Sequence, residues 1–374
     1  MIKHIPVSEP NIGEREKELV MDAIKKGDIS GTHGEYIKKF EEGFSNYVGC
    51  GYGIATSNGT TALHLALVSL GIGKGDEVLV STFTNMASCF AILYCGATPV
   101  PIDIEEDTWN INPALLEEKI TANTKAILIV HIYGHPVDMD PILEVARKHN
   151  LKVIEDAAEA HGAEYKGKKV GSLGDVACWS FYANKILTTG EGGMLTTNNP
   201  ELAEKARSLR SFSYGKEHRF MHEDIGFNYR LTNLQAALGC AQLEQIEEII
   251  AKKRQIAQWY KDALKDVQEL QLPVEKPYAK NVYWMFHIVL QGKWEEKRDE
   301  VIRRLKNEGV ETREAFIPYN MQKIMIEKGM TKSETCPIAN KIGKSGFYLP
   351  SGINLSCEDV EYVATSLKKS LELS

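Results

Sequence analysis

A chain of 374 residues with 43% hydrophobic and 25% charged residues has an ordinary globular composition and is long enough for two domains. Its formal net charge of −7 leaves no basic footprint, which argues against a nucleic-acid partner, and no run is apolar enough to span a bilayer. Seven scattered cysteines without a Cys-x-x-Cys pair, and a start (Met1 to Pro10) without a signal-peptide core, point to reduced thiols and a cytoplasmic location.

The first two thirds alternate short β-branched runs with helical patterns. In chain order the pattern predicts a strand at Gly53–Thr56, a helix at Thr61–Leu70, a strand at Glu77–Val80, a helix at Asn85–Tyr94 and a strand at Thr98–Asp103. Ala126–His131 then precedes a helix at Asp140–His149. Lys152–Glu155 follows as a strand, and Asp175–Phe181 and Gly193–Thr197 read as two more strands of the same sheet. Such alternation predicts an α/β fold, a mixed, mostly parallel sheet covered on both faces. At Thr232 the character changes. Thr232 is placed to cap one long helix over Asn233–Leu264. A strand at Tyr283–Leu290 and helices at Arg298–Gly309 and Glu358–Leu371 complete a smaller α+β domain. The expected division is 1–245 and 246–374, joined through the long helix.

Three stretches carry candidate chemistry. In Ala55-Thr-Ser-Asn-Gly-Thr-Thr-Ala-Leu-His-Leu-Ala-Leu, a strand turns through Gly59 into the start of an apolar helix, where free N–H groups and the helix dipole favour a phosphate. The same residues equally describe an ordinary capped helix. In Leu151-Lys-Val-Ile-Glu-Asp-Ala-Ala-Glu-Ala-His-Gly-Ala, a buried strand ends at Asp156, with Glu159 one turn on. That places an acid where parallel sheets bind ligands, although Asp is also a common helix cap. In Ser180-Phe-Tyr-Ala-Asn-Lys-Ile-Leu-Thr-Thr-Gly-Glu-Gly-Gly-Met, Lys185 sits between an aromatic run and a glycine-rich segment, either as a hairpin lysine or as an amine held out of water. Gly71-Ile-Gly-Lys-Gly follows a helix and so fails the dinucleotide fingerprint. Gly343-Lys-Ser has Ile338 where a P-loop needs glycine. His131, His135 and His161 lack a carboxylate-rich setting, and no metal is expected.

Together a phosphate cup, a strand-end acid and a lysine before glycines fit one cofactor, pyridoxal 5'-phosphate. The lysine condenses with its aldehyde, and the acid keeps its pyridine nitrogen protonated.

At these residues the chain resembles the sugar-nucleotide aminotransferases of the DegT/DnrJ type, which share the aspartate-aminotransferase fold (fold type I). The likeness runs from Ile5-Pro-Val-Ser-Glu-Pro to the last helix. It includes Ser57-Asn-Gly-Thr-Thr-Ala-Leu-His-Leu-Ala, Gly96-Ala-Thr-Pro-Val, His131-Ile-Tyr-Gly, Glu155-Asp-Ala-Ala-Glu-Ala-His-Gly-Ala and Gly226-Phe-Asn-Tyr-Arg-Leu-Thr-Asn-Leu-Gln-Ala-Ala. The resemblance implies that Lys185 is the cofactor-bound lysine and proton shuttle, that Asp156 pairs with the pyridine nitrogen, and that Glu159 lies near the ring hydroxyl. Gly59, Thr60 and Ser180 would hold the phosphate. Asn228 would reach the phosphate of a second subunit, so a homodimer with shared active sites is expected.

The Asn184-Lys185 pair followed by Thr-Thr-Gly-Glu-Gly-Gly-Met is similar to relatives that aminate C4 of a 4-keto-6-deoxy sugar nucleotide, above all GDP-perosamine synthases. The expected substrates are a nucleotide-linked keto sugar and L-glutamate. The product would feed surface-polysaccharide (O-antigen type) assembly, and Ser30, Arg230 and Tyr319 are candidate substrate contacts. Three positions depart from the family's pattern. Asn85 stands where an aromatic often stacks on the cofactor, so either Phe83 shifts to cover the ring or an amide packs there. Phe316-Ile-Pro-Tyr-Asn320 replaces Phe-x-Pro-x-His, and Ser211-Phe-Ser-Tyr-Gly replaces a Gly-Gln-Gly segment. A UDP- or dTDP-linked sugar, a 3-keto sugar or a non-catalytic regulator on the same fold are the alternatives.

Overall fold

The alternating strands and helices build one seven-stranded sheet. Its order is Tyr52–Thr56, Gly193–Thr197, Val176–Ser180, Lys152–Asp156, Thr124–Val130, Glu77–Ser81 and Thr98–Ile102. In this computed structural model, residues 3–372 apart from Lys216 and Arg219 are described. Five adjacent strands from Val176–Ser180 to Thr98–Ile102 run parallel, and Gly193–Thr197 is antiparallel to both of its neighbours. The carboxyl ends of the parallel strands, at Ser180, Asp156, Val130 and Ser81, therefore share one edge, where ligands bind such sheets. Leu128, Ile154, Ala177 and Leu195 are fully or almost fully buried, as expected of strands covered on both faces.

The helix Gly59–Ser69 is apolar around most of its circumference and packs between the sheet and the helix Ala87–Tyr94. Its start is fixed by a reciprocal pair. Asn58 Oδ1 accepts the Thr61 N–H at 2.9 Å, and Thr61 Oγ1 accepts the Asn58 N–H at 3.1 Å.

A four-stranded antiparallel sheet, ordered Leu270–Gln271, Phe286–Leu290, Gly346–Leu349 and Arg313–Glu314, forms the C-terminal body. Tyr260, Leu264, Phe286, Ile288, Phe347 and Leu367 fill its core. Ile5 joins this core, and its N–H donates to Gly309 O at 2.9 Å, so the N-terminal segment is tied to the far end of the chain.

The expected single helix over 233–264 is two helices, Asn233–Glu244 and Ile246–Leu264, meeting at Gln245 (φ −111°, ψ 4°). Thr232 does cap the first: its Oγ1 accepts the Gln235 N–H at 3.2 Å. The break has a tertiary cause. Gln242 and Gln245 both donate to the buried carboxylate of Glu16, at 2.7 and 3.0 Å, and Gly239 lies so close to Phe40 that a Cβ would come within 2.7 Å of its ring. The first helix is thus held by the N-terminal helices Glu14–Lys26 and Glu35–Val48, and the second by the C-terminal body. The expected strand over 283–290 is shorter, at Phe286–Leu290, because Tyr283 turns through φ +47°.

Candidate active site

One cavity of about 540 Å³ opens beyond the strand ends. Its lining includes Gly59, Thr60, Asn85, Asp156, Glu159, Ser180 and Lys185, so seven of the expected site residues converge from four separate chain segments.

The anion end is built by close approach. Gly59 opens its helix against Ser180, where a Cβ would stand 2.8 Å from the serine Cβ. Gly193 lies beneath, with no room for a Cβ beside the Asn58 carbonyl (2.3 Å). The N–H groups of Gly59 and Thr60, in the first helical turn, have no intrahelical acceptor. With the Thr60 and Ser180 hydroxyls, which line the same cavity, they offer a group of donors suited to an anion such as phosphate.

Asp156 ends the strand Lys152–Asp156 on the same edge. Its Oδ2 accepts from Ser88 Oγ at 2.8 Å and its Oδ1 from the Ala158 N–H at 3.2 Å. Burial pushes this carboxyl up, with the Ser88 hydrogen bond opposing. A cation brought to it, such as a protonated pyridine nitrogen, would favour the ionised form. The neighbouring Glu155 points to the other face and is fully buried. It accepts N–H groups of Gly171, Leu173 and Gly174 at 2.6–2.8 Å and the His131 Nε2–H at 3.0 Å. Burial alone would push Glu155 up; the His131 and backbone donors outweigh it and hold the carboxyl below its ordinary value.

Lys185 enters from the loop after Ser180. Its Nζ lies 4.0 Å from Glu159 Oε1 and 3.7 Å from the centroid of the Trp284 ring. Burial pulls the Lys185 ammonium down and pushes Glu159 up, each partly restored by the other. Glu159 Oε2 accepts the Tyr133 N–H at 2.7 Å. The pair therefore has an amine that releases its proton more readily than a surface lysine, beside a carboxyl able to take part of that charge.

Trp284, Phe316 and Tyr348 close the opposite wall, and Ser88, beside the cavity, steadies Asp156. Phe316 belongs to the Phe316–Asn320 segment that the sequence singled out, whereas Trp284, Tyr348 and Ser88 were not expected from sequence. The aromatic wall arrives from the C-terminal body, and no local pattern at residues 284 or 348 announces a contact with Lys185.

The other candidates are placed differently. Asn85 lines the cavity, whereas Phe83 is fully buried behind it with its ring 6.0 Å from that of Tyr133; the amide, not Phe83, faces the opening. Ser30 is exposed, next to Gly31, which lies against Arg230, and the Arg230 guanidinium lies 5.3 Å from the Phe212 ring; neither Ser30 nor Arg230 lines the cavity. Tyr319 is fully buried, its N–H bonded to Thr82 O at 2.8 Å, and lies outside the lining. Asn320 is likewise committed inside the protein, accepting from Thr82 Oγ1 and donating to Ser333 O and Asn340, each at 2.8 Å. Asn228 is exposed and away from this chain's own cavity.

The three histidines are separately engaged. His131 Nδ1 accepts the Val137 N–H at 3.0 Å, and His135 bonds to Pro136 O and the Lys276 N–H. His161 packs among Phe44, Trp179 and Phe181. Among the described residues no group of three or more histidine, cysteine or acidic side chains is placed to hold a metal, and no helix is long and apolar enough to cross a membrane.

A phosphate cup, a buried acid and a desolvated lysine in one cavity fit pyridoxal phosphate. Similar proteins agree. The chain is 45% identical over 374 residues to GDP-perosamine synthase of Caulobacter vibrioides (99% of each chain). It is 42% identical to the enzyme of the same name from Escherichia coli O157:H7, over 98% of this chain and 99% of that one. Among solved structures it superposes on an aminotransferase from Psychrobacter cryohalolentis with a TM-score of 0.93 at 32% identity, covering 98% of this chain and 99% of that chain. It also superposes on S. venezuelae DesV, in complex with a ketimine intermediate, with a TM-score of 0.90 at 33% identity, covering 96% and 95%. Residues 10–368 match the DegT/DnrJ/EryC1/StrS aminotransferase family, and the chain belongs to that family as a pyridoxal-phosphate-dependent aminotransferase.

Proposed function

We propose that the protein transfers the amino group of L-glutamate to C4 of a nucleotide-linked 4-keto-6-deoxy sugar, with a GDP-linked sugar as its substrate. The observation that carries this reading is the Lys185–Glu159 pair at 4.0 Å, in one cavity with Asp156 and the Gly59 helix start. The full-length similarity to GDP-perosamine synthases supports the choice of sugar and nucleotide.

When bound, pyridoxal phosphate supplies the electron sink for the amino-group transfer. The donors around Gly59, Thr60 and Ser180 would anchor its phosphate, and Asp156 would keep its pyridine nitrogen protonated. Lys185 Nζ, desolvated in this cavity, would be the group that accepts and returns a proton during the transfer. Glu159 balances the charge as that amine gains and loses its proton. Trp284, Phe316 and Tyr348 keep water from the amine.

The active unit in this reading is a homodimer, in which Asn228 of each copy reaches the phosphate end of the other's cavity. Ser30 and Arg230 border the sugar nucleotide from the same direction, and Tyr319 backs the sugar side. The body 1–245 holds the cofactor and 246–374 closes over it. The setting is the cytoplasm, and the product enters surface-polysaccharide assembly.

A panel of GDP-, UDP- and dTDP-linked 4-keto-6-deoxy sugars, each with L-glutamate, tests the proposal. A 4-amino sugar formed fastest from the GDP-linked compound is expected. Preference for another nucleotide, or amination only of 3-keto sugars, would overturn it.

A further inference from the structure

Trp284 holds Lys185 at two points. Its ring centroid lies 3.7 Å from the lysine Nζ, and its indole Nε1–H donates to the carbonyl of Asn184 at 2.8 Å. Asn184 directly precedes the lysine, so one side chain touches the amine and also fixes the backbone that carries it.

The tryptophan is itself anchored from behind. Its carbonyl accepts from Lys253 Nζ at 3.0 Å, and the same ammonium donates to Ser351 O at 2.6 Å. Ser351 Oγ accepts the Phe286 N–H at 2.9 Å, which ties the anchor to the strand Phe286–Leu290. The turn before Trp284 is sharply formed: Tyr283 sits at φ +47°, its N–H bonded to Asn281 Oδ1 at 2.8 Å. That turn docks on the loop of Tyr133, where the Val282 N–H donates to Gly134 O at 3.2 Å. A Cβ at Gly134 would stand 2.8 Å from Val282 Cγ2 and 3.0 Å from the Trp284 backbone nitrogen. Backbone strain, a buried ammonium and a glycine contact all serve to present one indole face to one amine.

An indole face attracts a cation through its ring quadrupole and does so without a second carboxylate. The ionisable groups that face Lys185 are Glu159, Asp156 and His161, while Tyr133 and Tyr348 face Glu159. The two carboxyl groups are shared with the cofactor, whereas the Trp284 face serves the amine alone.

We propose that Trp284 is a catalytic residue of this site: its indole face is the resting place of the Lys185 ammonium whenever that amine is free of cofactor. Lys253 is the positioning residue that holds Trp284 there. This rests on the reading of Lys185 as the amine that carries the chemistry, and goes beyond it by assigning what receives the amine.

The test uses the cofactor-free protein, with no sugar or donor, so it fails independently of the amination reaction. The pH dependence of acetylation at Lys185, followed by competition labelling and mass spectrometry of its peptide, gives the midpoint of the amine. In Trp284→Leu the midpoint falls by about one pH unit, about tenfold in free-amine fraction, because the ammonium loses its ring face. In Trp284→Phe, which keeps an aromatic face, it falls part of the way, and this variant alone decides if the leucine variant does not fold. A midpoint that is unchanged or raised in folded variants, which a merely apolar wall would give, overturns the proposal.

Discussion

Glu159 accepts the backbone N–H of Tyr133 at 2.7 Å, and Tyr133 holds that N–H in place at φ +51°. A non-glycine residue in the left-handed region costs on the order of 1 kcal/mol, so the fold stores strain where the carboxylate beside Lys185 is oriented. The Tyr133 ring makes this affordable by stacking on Phe316 (5.5 Å between centroids, 4° between planes) and on His287 (4.6 Å, 17°).

The first prediction concerns that carboxylate. Burial pushes Glu159 up to about 7, so it gains a proton as the pH falls through neutrality and ceases to balance Lys185. The kcat/KM of the wild type is expected to fall on the acid side below about pH 7, and Glu159→Gln to flatten that limb while lowering turnover by about 10²-fold. An unchanged acid limb in the variant would assign it to another group.

Ser88 is expected to matter chiefly through Asp156, its shortest partner, beyond the hydroxyl's contacts with Thr84 Oγ1 and Asn85 O. Removing its hydroxyl leaves a buried carboxylate without its 2.8 Å donor, a loss of about 1–3 kcal/mol. Ser88→Ala should therefore weaken pyridoxal phosphate binding about tenfold in an absorbance titration. Wild-type affinity would show that the Ala158 N–H suffices.

Gly59→Ala tests the cup. The added methyl meets Ser180 Cβ at 2.8 Å and must push the helix start away from the serine. Overpacking of this kind costs about 1–3 kcal/mol. Cofactor affinity should drop by at least about tenfold, because in the proposed site the displaced N–H groups would hold the phosphate. Binding as tight as wild type would place the phosphate elsewhere.

Lys253 gives a stability prediction with a definite sign. Burial pulls its ammonium down to about 7, while the unfolded chain keeps the ordinary value near 10.5. Between those two pH values the unfolded chain binds the extra proton, so this residue's contribution to stability rises with pH and is lost as pH falls toward 7. The melting temperature of the wild type relative to Lys253→Met should increase from about pH 7.5 to about pH 9.5. A difference independent of pH would mean that the ammonium stays charged throughout.

Much of the site was legible because its residues sit on local patterns. Gly59 and Thr60 open a helix after a strand, Asp156 ends a buried strand, and Lys185 precedes a glycine-rich loop; each reading depends on neighbours only a few positions away. A phosphate cup and a helix cap are compatible here, since Asn58 caps the helix with Thr61 while Gly59 and Thr60 keep their N–H groups. Trp284, Tyr348 and Ser88 were not legible, because what makes them part of the site is contact across the fold. The division of the helix at Gln245 was hidden for the same reason. Its apolar positions run on at helical period, and only the buried Glu16, from a helix near the N-terminus, reveals why the chain breaks there.

The central claim is that Lys185, Asp156 and Glu159 operate a pyridoxal-phosphate site that carries amino groups from glutamate to a keto sugar. The most direct measurement is the visible absorbance of the purified protein with the cofactor, followed through sequential additions. The band is predicted to disappear with L-glutamate and return with a GDP-linked 4-keto-6-deoxy sugar, and to be absent in Lys185→Ala. No band with added cofactor, a band indifferent to glutamate, or turnover retained by Lys185→Ala would contradict the account.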